Sequence, residues 1–221
     1  MVRCSSVIRS AIAGLAFWLA ASPAQAQLTE VSEKRFEITP YAGYNWGGAF
    51  STSAGSAFPA GELRLKDNFS WGGIISFLYG YNGAVELTYL RQDTDIEFDP
   101  VGGTSKTLGG FAVNYIQIGG RQGFGHSEKF HPFIDGSLGI GIFDPKADVN
   151  SATRFSWSLG TGAIYMFSSQ RVGLRTDLKL WVTPVPSGTY GTWCDFYGCF
   201  VTEGTAWVTQ GQITGGLVFA F

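Results

Sequence analysis

The chain has 221 residues, a net charge of −2, 14% charged and 15% aromatic residues, and 31 glycines, about double the ordinary glycine share of roughly 7%. A balance this close to neutral, with no basic patch, excludes nucleic acid as a partner. Beyond residue 26 no run approaches the roughly 20 apolar residues of a membrane helix.

Residues 1–26 read as a secretory signal. Arg3 and Arg9 form the positive n-region, Ala11 to Ala21 the apolar stretch, and Ala24-Gln25-Ala26 the cleavage site before Gln27. Cleavage takes Arg3 and Arg9 from the 15 cationic residues, leaving 13 Lys and Arg against 17 Asp and Glu, a net charge of −4. Cys4 leaves with the signal. The remaining pair, Cys194 and Cys199, predicts a disulfide in an exported protein. Closing so short a loop contributes about 2 kcal/mol in the chain-entropy picture; two free thiols are the alternative. Residues 27–35 are expected to be a short periplasmic segment.

From residue 36 the sequence alternates with a period of two. Eight strands are predicted, at 36–46, 68–79, 83–93, 109–121, 130–143, 154–167, 171–182 and 207–221. The last exceeds the common soluble strand of about 5–6 residues and suits one tilted through a bilayer, about 9–11. Its odd-numbered set, Trp207 through Ile213 and Leu217 to Phe221, is greasy, whereas the even set carries Gln210, Gln212 and Thr214. Pro132, Ile134, Leu138, Ile140 and Ile142 share one face of the fifth strand, against Asp135, Ser137, Gly139 and Gly141. The sixth sets Phe155, Trp157, Leu159, Ala163, Tyr165 and Phe167 against Ser156, Ser158, Gly160 and Gly162. The seventh sets Val172, Leu174, Leu178, Leu180 and Val182 against Gly173, Arg175, Asp177 and Lys179. The fourth, F-A-V-N-Y-I-Q-I-G-G-R, mixes polar and apolar residues in either phase, and a bulge is one explanation.

Connections alternate in length. Long stretches follow strands one, three, five and seven; G-Y-N, 122–129 and F-S-S-Q join the others. Outer-membrane barrels pair short periplasmic turns with long outer loops and use an even strand number. The expected fold is therefore all-β, an eight-stranded antiparallel up-and-down transmembrane β-barrel over 36–221, with both termini periplasmic. A bilayer admits strands only when the sheet closes and satisfies every backbone group.

Eight strands enclose an interior that side chains largely fill. The inward set holds Glu37, Glu86, Asp135, Arg175, Asp177 and Lys179. Charges in so narrow a space must pair, which predicts an ion-pair layer. Such a layer either plugs the lumen or gates a narrow ion path.

Three surface features invite chemistry. Asp93, Asp95, Glu97 and Asp99 lie on one side of an extended stretch, as a weak divalent-cation candidate or a solvated strand end. His126 and His131 fall in one predicted periplasmic connection; G-H-S-E-K-F-H resembles the His-x-Ser of lipid A deacylases, but on the side opposite the outer leaflet. The fourth outer loop gathers Tyr190, Trp193, Phe196, Tyr197 and Phe200 around the cysteine pair, a candidate surface-binding loop or part of an aromatic girdle.

F-E-I-T-P-Y-A-G-Y-N-W-G-G, Y-G-Y-N-G-A-V-E-L-T-Y-L-R-Q-D-T, F-H-P-F-I-D-G-S-L-G-I-G-I-F-D-P and the terminal Phe resemble the small outer membrane β-barrel family, similar to the transmembrane domain of outer membrane protein A and the opacity proteins. The resemblance implies that Phe221 is the signal read by the barrel assembly machinery. Relatives often add a peptidoglycan-binding domain; with the chain stopping at Phe221, that role is not expected here. The expected protein is an integral outer membrane barrel of structural or surface-interaction role. It needs no cofactor and is not an enzyme. Its partners are outer membrane lipid and lipopolysaccharide, the assembly machinery, and an unidentified extracellular ligand. A narrow ion-conducting pore is the alternative and a lipid-modifying enzyme a third reading.

Overall fold

The structure, a computed structural model, describes residues 35–52, 61–80, 82–125, 127, 129–146, 151–167, 171–185, 192–195, 198–201 and 206–221. The expected signal at 1–26, and His126, Tyr190, Phe196 and Tyr197, lie outside them.

Among the described residues twelve strands form. They are β1 (Phe36–Gly47), β2 (Ala49–Thr52), β3 (Gly61–Leu65), β4 (Asn68–Tyr79), β5 (Gly83–Pro100), β6 (Lys106–Gly123), β7 (Phe130–Pro145), β8 (Ala152–Met166), β9 (Val172–Val185), β10 (Thr192–Asp195), β11 (Gly198–Val201) and β12 (Ala206–Ala220). Eight of them close a ring in the order β1, β4, β5, β6, β7, β8, β9, β12, every neighbouring pair antiparallel. Glu37 pairs with Ala220 and Asn45 with Gln212, so the first wall strand seals against the last. Closure leaves no unpaired edge within the wall.

The eight wall strands coincide with the eight expected from alternation, and their ends differ in an ordered way. β5 runs on to Pro100 and β6 begins at Lys106, so most of the stretch expected as loop 94–108 is a protruding hairpin. Two further hairpins stand where loops were expected. β2 and β3 pair with each other, and β3 adds to the protruding part of β5, Leu63 opposite Phe98. β10 and β11 form a separate ribbon. The short turns, the start of β1 and the end of β12 gather at one end, the turn end. Gly80 there adopts φ 59°, a left-handed value that glycine takes without strain. The long connections gather at the other, the loop end.

Burial alternates as the sequence pattern requires. In β12 Trp207, Ile213 and Leu217 are exposed, as is Phe221 just beyond it, while Val208, Gln210, Gln212, Val218 and Ala220 are buried. Leu138, Leu159, Leu178 and Ile118 repeat the exposed apolar pattern round the ring. The result is an inside-out molecule: an apolar belt outside, polar side chains inside. Val182 and Ala112 are exceptions, on the outward phase yet 5% and 2% exposed.

β6, which could not be phased, sends Val113, Tyr115, Gln117 and Arg121 inward and Ile116 and Ile118 outward. Its inner face changes from apolar near the loop end to polar near the turn end, so each phase mixes characters. A bulge within 111–121, one explanation for the mixed phase, is not found there; the register shifts nearer the loop end, where Ile96 pairs with Gly109 but Glu97 with Thr107, leaving Leu108 as the extra residue.

Candidate functional site

The lumen is filled in layers. Nearest the turn end, Phe133, Ile164, Met166, Val218 and Ala220 form an apolar floor. Glycine makes room for it: a Cβ on Gly162 would lie 2.6 Å from the Phe133 ring. Both lumen guanidiniums rest on that ring, with the carbon of Arg175 4.6 Å and that of Arg121 5.6 Å from its centroid.

Above the floor lie the charges. Glu37, Glu86, Asp135, Arg175, Asp177 and Lys179 are all buried and face inward. Arg175, 1% exposed, is the hub. Its Nη1 and Nη2 donate to the two oxygens of Glu86 at 2.7 and 3.0 Å. Its Nε and Nη2 donate to Asp177 at 2.9–3.1 Å. This is the bidentate fork that matches guanidinium to carboxylate. Ser76 Oγ donates to Glu86 at 3.1 Å and Thr214 Oγ1 to Asp177 at 3.3 Å. Lys179 Nζ pairs with Asp135 Oδ2 at 2.7 Å.

Glu37 joins through Arg121, the residue that sequence reasoning missed. Arg121 Nη2 donates to Glu37 Oε2 at 2.8 Å, and its Nε lies 3.0 Å from Glu86 Oε1, an ion pair without hydrogen-bond alignment. The layer thus alternates Glu37, Arg121, Glu86, Arg175, Asp177 across the lumen. Its four acids face three bases, a net of −1 within the layer.

Toward the loop end, amides and hydroxyls replace charges. Gln117 Nε2 donates to Ser156 Oγ at 2.8 Å, and its Oε1 accepts from Ser137 and Ser158 at 2.6 and 2.9 Å. Ser70 Oγ donates to Asn45 Oδ1 at 2.7 Å and accepts from Gln212 at 3.2 Å, while the Trp181 indole donates to Gln212 Oε1 at 2.8 Å. Tyr115 hydroxyl donates to Gln210, which donates to Gln92 at 3.0 Å. An aromatic and aliphatic cluster follows. Tyr115 stacks on Trp181 at 4.7 Å, with Phe143, Leu90, Leu65 and Val208 around them. Trp181 shares the inward phase of Arg175, Asp177 and Lys179, a signal legible in the sequence; the Tyr115 partner was hidden in the unphased strand.

The remaining candidates separate. Asp93, Asp95, Glu97 and Asp99 stand on the extended β5, beyond the Tyr89 limit of the apolar belt. Asp93 pairs with Arg91 at 3.0 Å and Lys146 at 3.4 Å, and Glu97 with Lys66 at 3.8 Å. Hydrogen bonding from Arg91 holds the Asp93 carboxyl below its ordinary value. Among the described residues no cluster of three or more His, Cys, Asp or Glu could hold a metal. Cys194 stands directly opposite Cys199 in the β10–β11 ladder, and Trp193 opposite Phe200. His131 opens β7 at the turn end. Phe221 is exposed, with Phe36 6.2 Å from its ring.

No protein-family model matches the chain, and no curated protein does. Solved structures match throughout the ring. Neisserial surface protein A is 14% identical, covering 84% of this chain and 97% of its own, with a TM-score of 0.53. The outer membrane protein OprG from Pseudomonas aeruginosa is 10% identical over 85% and 97%, with a TM-score of 0.55. The outer membrane protein AlkL, determined in lipid bilayers, is 10% identical over 90% and 97%, with a TM-score of 0.50. The fold is that of the small outer membrane β-barrels. Within that fold the charged layer, the amide layer and the aromatic cluster together are what this barrel encloses.

Proposed function

We propose that the chain is an integral outer membrane protein that crosses the membrane as a plugged barrel and serves a structural and surface-interaction role. The turn end faces the periplasm, and the long connections, with β2–β3, the β5–β6 hairpin and β10–β11, face outward. The observation that carries this reading is the inversion of the molecule. Leu138, Leu159, Ile118 and Phe69 are more than half exposed, while Arg175, Glu86 and Lys179 are buried. Water would solvate the opposite arrangement; hydrocarbon solvates this one. An apolar floor at one end and the Tyr115–Trp181 stack toward the other support a plug in preference to a standing channel. The reading has no catalytic role: His131 sits at the turn end, away from any outward loop. Its partners are lipid and lipopolysaccharide, the assembly machinery that would read Phe221, and an outside ligand held by the loops.

Conductance of the folded, purified protein in a planar bilayer tests it. The expected trace is insulating, before and after substitution of Arg175 or Lys179. Discrete openings that change with those substitutions would replace the plug by the pore reading.

A further inference from the structure

The lipid-facing wall is not uniform. Between β1, β12, β9 and β8 it sinks into a groove of about 570 Å³, within the roughly 300–1,000 Å³ typical of small-molecule sites. Its geometry follows from one register row: Trp46 opposite Gly211, Gly211 opposite Leu180, Leu180 opposite Leu159. Gly211 has no side chain, so the floor is low there. The Trp46 ring lies over it, and a Cβ on Gly211 would stand 2.3–2.6 Å from indole atoms. Leu159, Leu178 and Leu180, all exposed, form the opposite wall, and Thr209 and Thr161 line the ends.

Two observations say what fills the groove. It is continuous with the apolar belt and lies in the half toward the loop end, where Trp46 and Thr209 stand near their strands' ends. Its surroundings are therefore hydrocarbon. The aromatic wall of the groove also carries a donor, the Trp46 indole N–H, whose nitrogen overhangs Gly211. Trp46 is 38% exposed, and a tryptophan at the rim of an apolar belt sits at the boundary between acyl chains and headgroups, where its N–H can be presented to a lipid acceptor.

We propose that this groove seats one acyl chain of a membrane lipid, with the lipid's ester or amide carbonyl accepting the Trp46 indole N–H. The inference rests on the outer membrane reading above. Phospholipid and acylated glycolipid share this chemistry. The groove lies on the half that the reading assigns to the outer leaflet.

The full chain, extracted from its membrane in mild detergent, is analysed by native mass spectrometry beside two variants. Thr209→Phe fills the groove from an exposed position outside the lumen; Trp46→Phe removes the donor and keeps an aromatic, though smaller, wall. Wild type is expected to retain one acyl lipid, its mass distinguishing phospholipid from glycolipid. Thr209→Phe should lose at least tenfold occupancy, and Trp46→Phe about three- to tenfold, one hydrogen bond's worth. Far-UV circular dichroism identifies folded variants, and Trp46→Phe alone decides should Thr209→Phe misfold. Equal lipid retention by wild type and the folded variants, or retention of detergent alone, overturns the proposal. Failure of the underlying reading is separate: wild type would then remain dispersed in water after detergent removal.

Discussion

Replacing Arg175 by methionine removes the hub of the lumen while leaving its volume nearly filled. Five donor–acceptor contacts disappear, to both oxygens of Glu86 and both of Asp177. The lumen count moves from four acids against three bases to four against two. Glu86 keeps Arg121 and Ser76, but Asp177 keeps only Thr214. Breaking one side of a buried pair costs roughly 3–5 kcal/mol, because the surviving charge is stranded. Since Glu86 retains a partner, a loss near the middle, about 4 kcal/mol, is expected. The assay is urea unfolding of the barrel in lipid vesicles, followed by tryptophan fluorescence, with an unchanged m-value as the check that only stability has moved. Adding Asp177→Asn to Arg175→Met should recover about 1–3 kcal/mol of the loss, since the coupling between contacting charges has that size. A single-variant loss below about 1 kcal/mol, or a strictly additive double variant, would refute the argument that the lumen requires paired charge.

Glycine at 160 is a second test. An added Cβ would stand 2.5 Å from Asp135 Oδ1 and 3.1 Å from Lys179 Cγ, so Gly160→Ala should cost about 1–3 kcal/mol through overpacking. Gly215→Ala, with nothing within 4 Å, should stay within about 0.5 kcal/mol in the same unfolding assay. Leu138 and Val101 are 57% and 82% exposed, yet the proposed solvents differ. Leu138→Arg should cost about 2–4 kcal/mol in vesicles if it lies near the bilayer midplane, and Val101→Arg, in the turn beyond β5, nothing measurable; equal effects would argue against lipid at Leu138. Cys194 and Cys199 are paired positions in the ladder, so in exported protein neither should react with a maleimide until a reductant is added. Labelling of both without reduction would leave them as free thiols.

Alternation is local, and it made much of this molecule legible. Which residues of β7, β8, β9 and β12 face inward follows from a period of two, because successive side chains point to opposite faces whatever the sheet does next. That placed Glu37, Glu86, Asp135, Arg175, Asp177 and Lys179 on the inner phase and Leu138, Leu178 and Phe221 on the outer. Alternation failed on β6 for a physical reason. Val113 and Tyr115 face inward to pack under Trp181, while Ile116 and Ile118 face outward to the belt, so both faces carry apolar residues and the period loses contrast. With that strand went Arg121, and with Arg121 the link from Glu37 to Glu86. Who meets whom across the lumen was decided by closure. Arg175 reaches Glu86, 89 positions away in the chain, because ring order, strand tilt and register together set their depth, and none of these is a property of either segment alone. The same holds for the hairpin of β2 and β3, whose place beside β5 exists only once β5 has grown past the wall. The groove under Trp46 is likewise a register product: Gly211 and Trp46 are distant in sequence, and only the pairing of the first strand with the last brings the ring over the missing side chain.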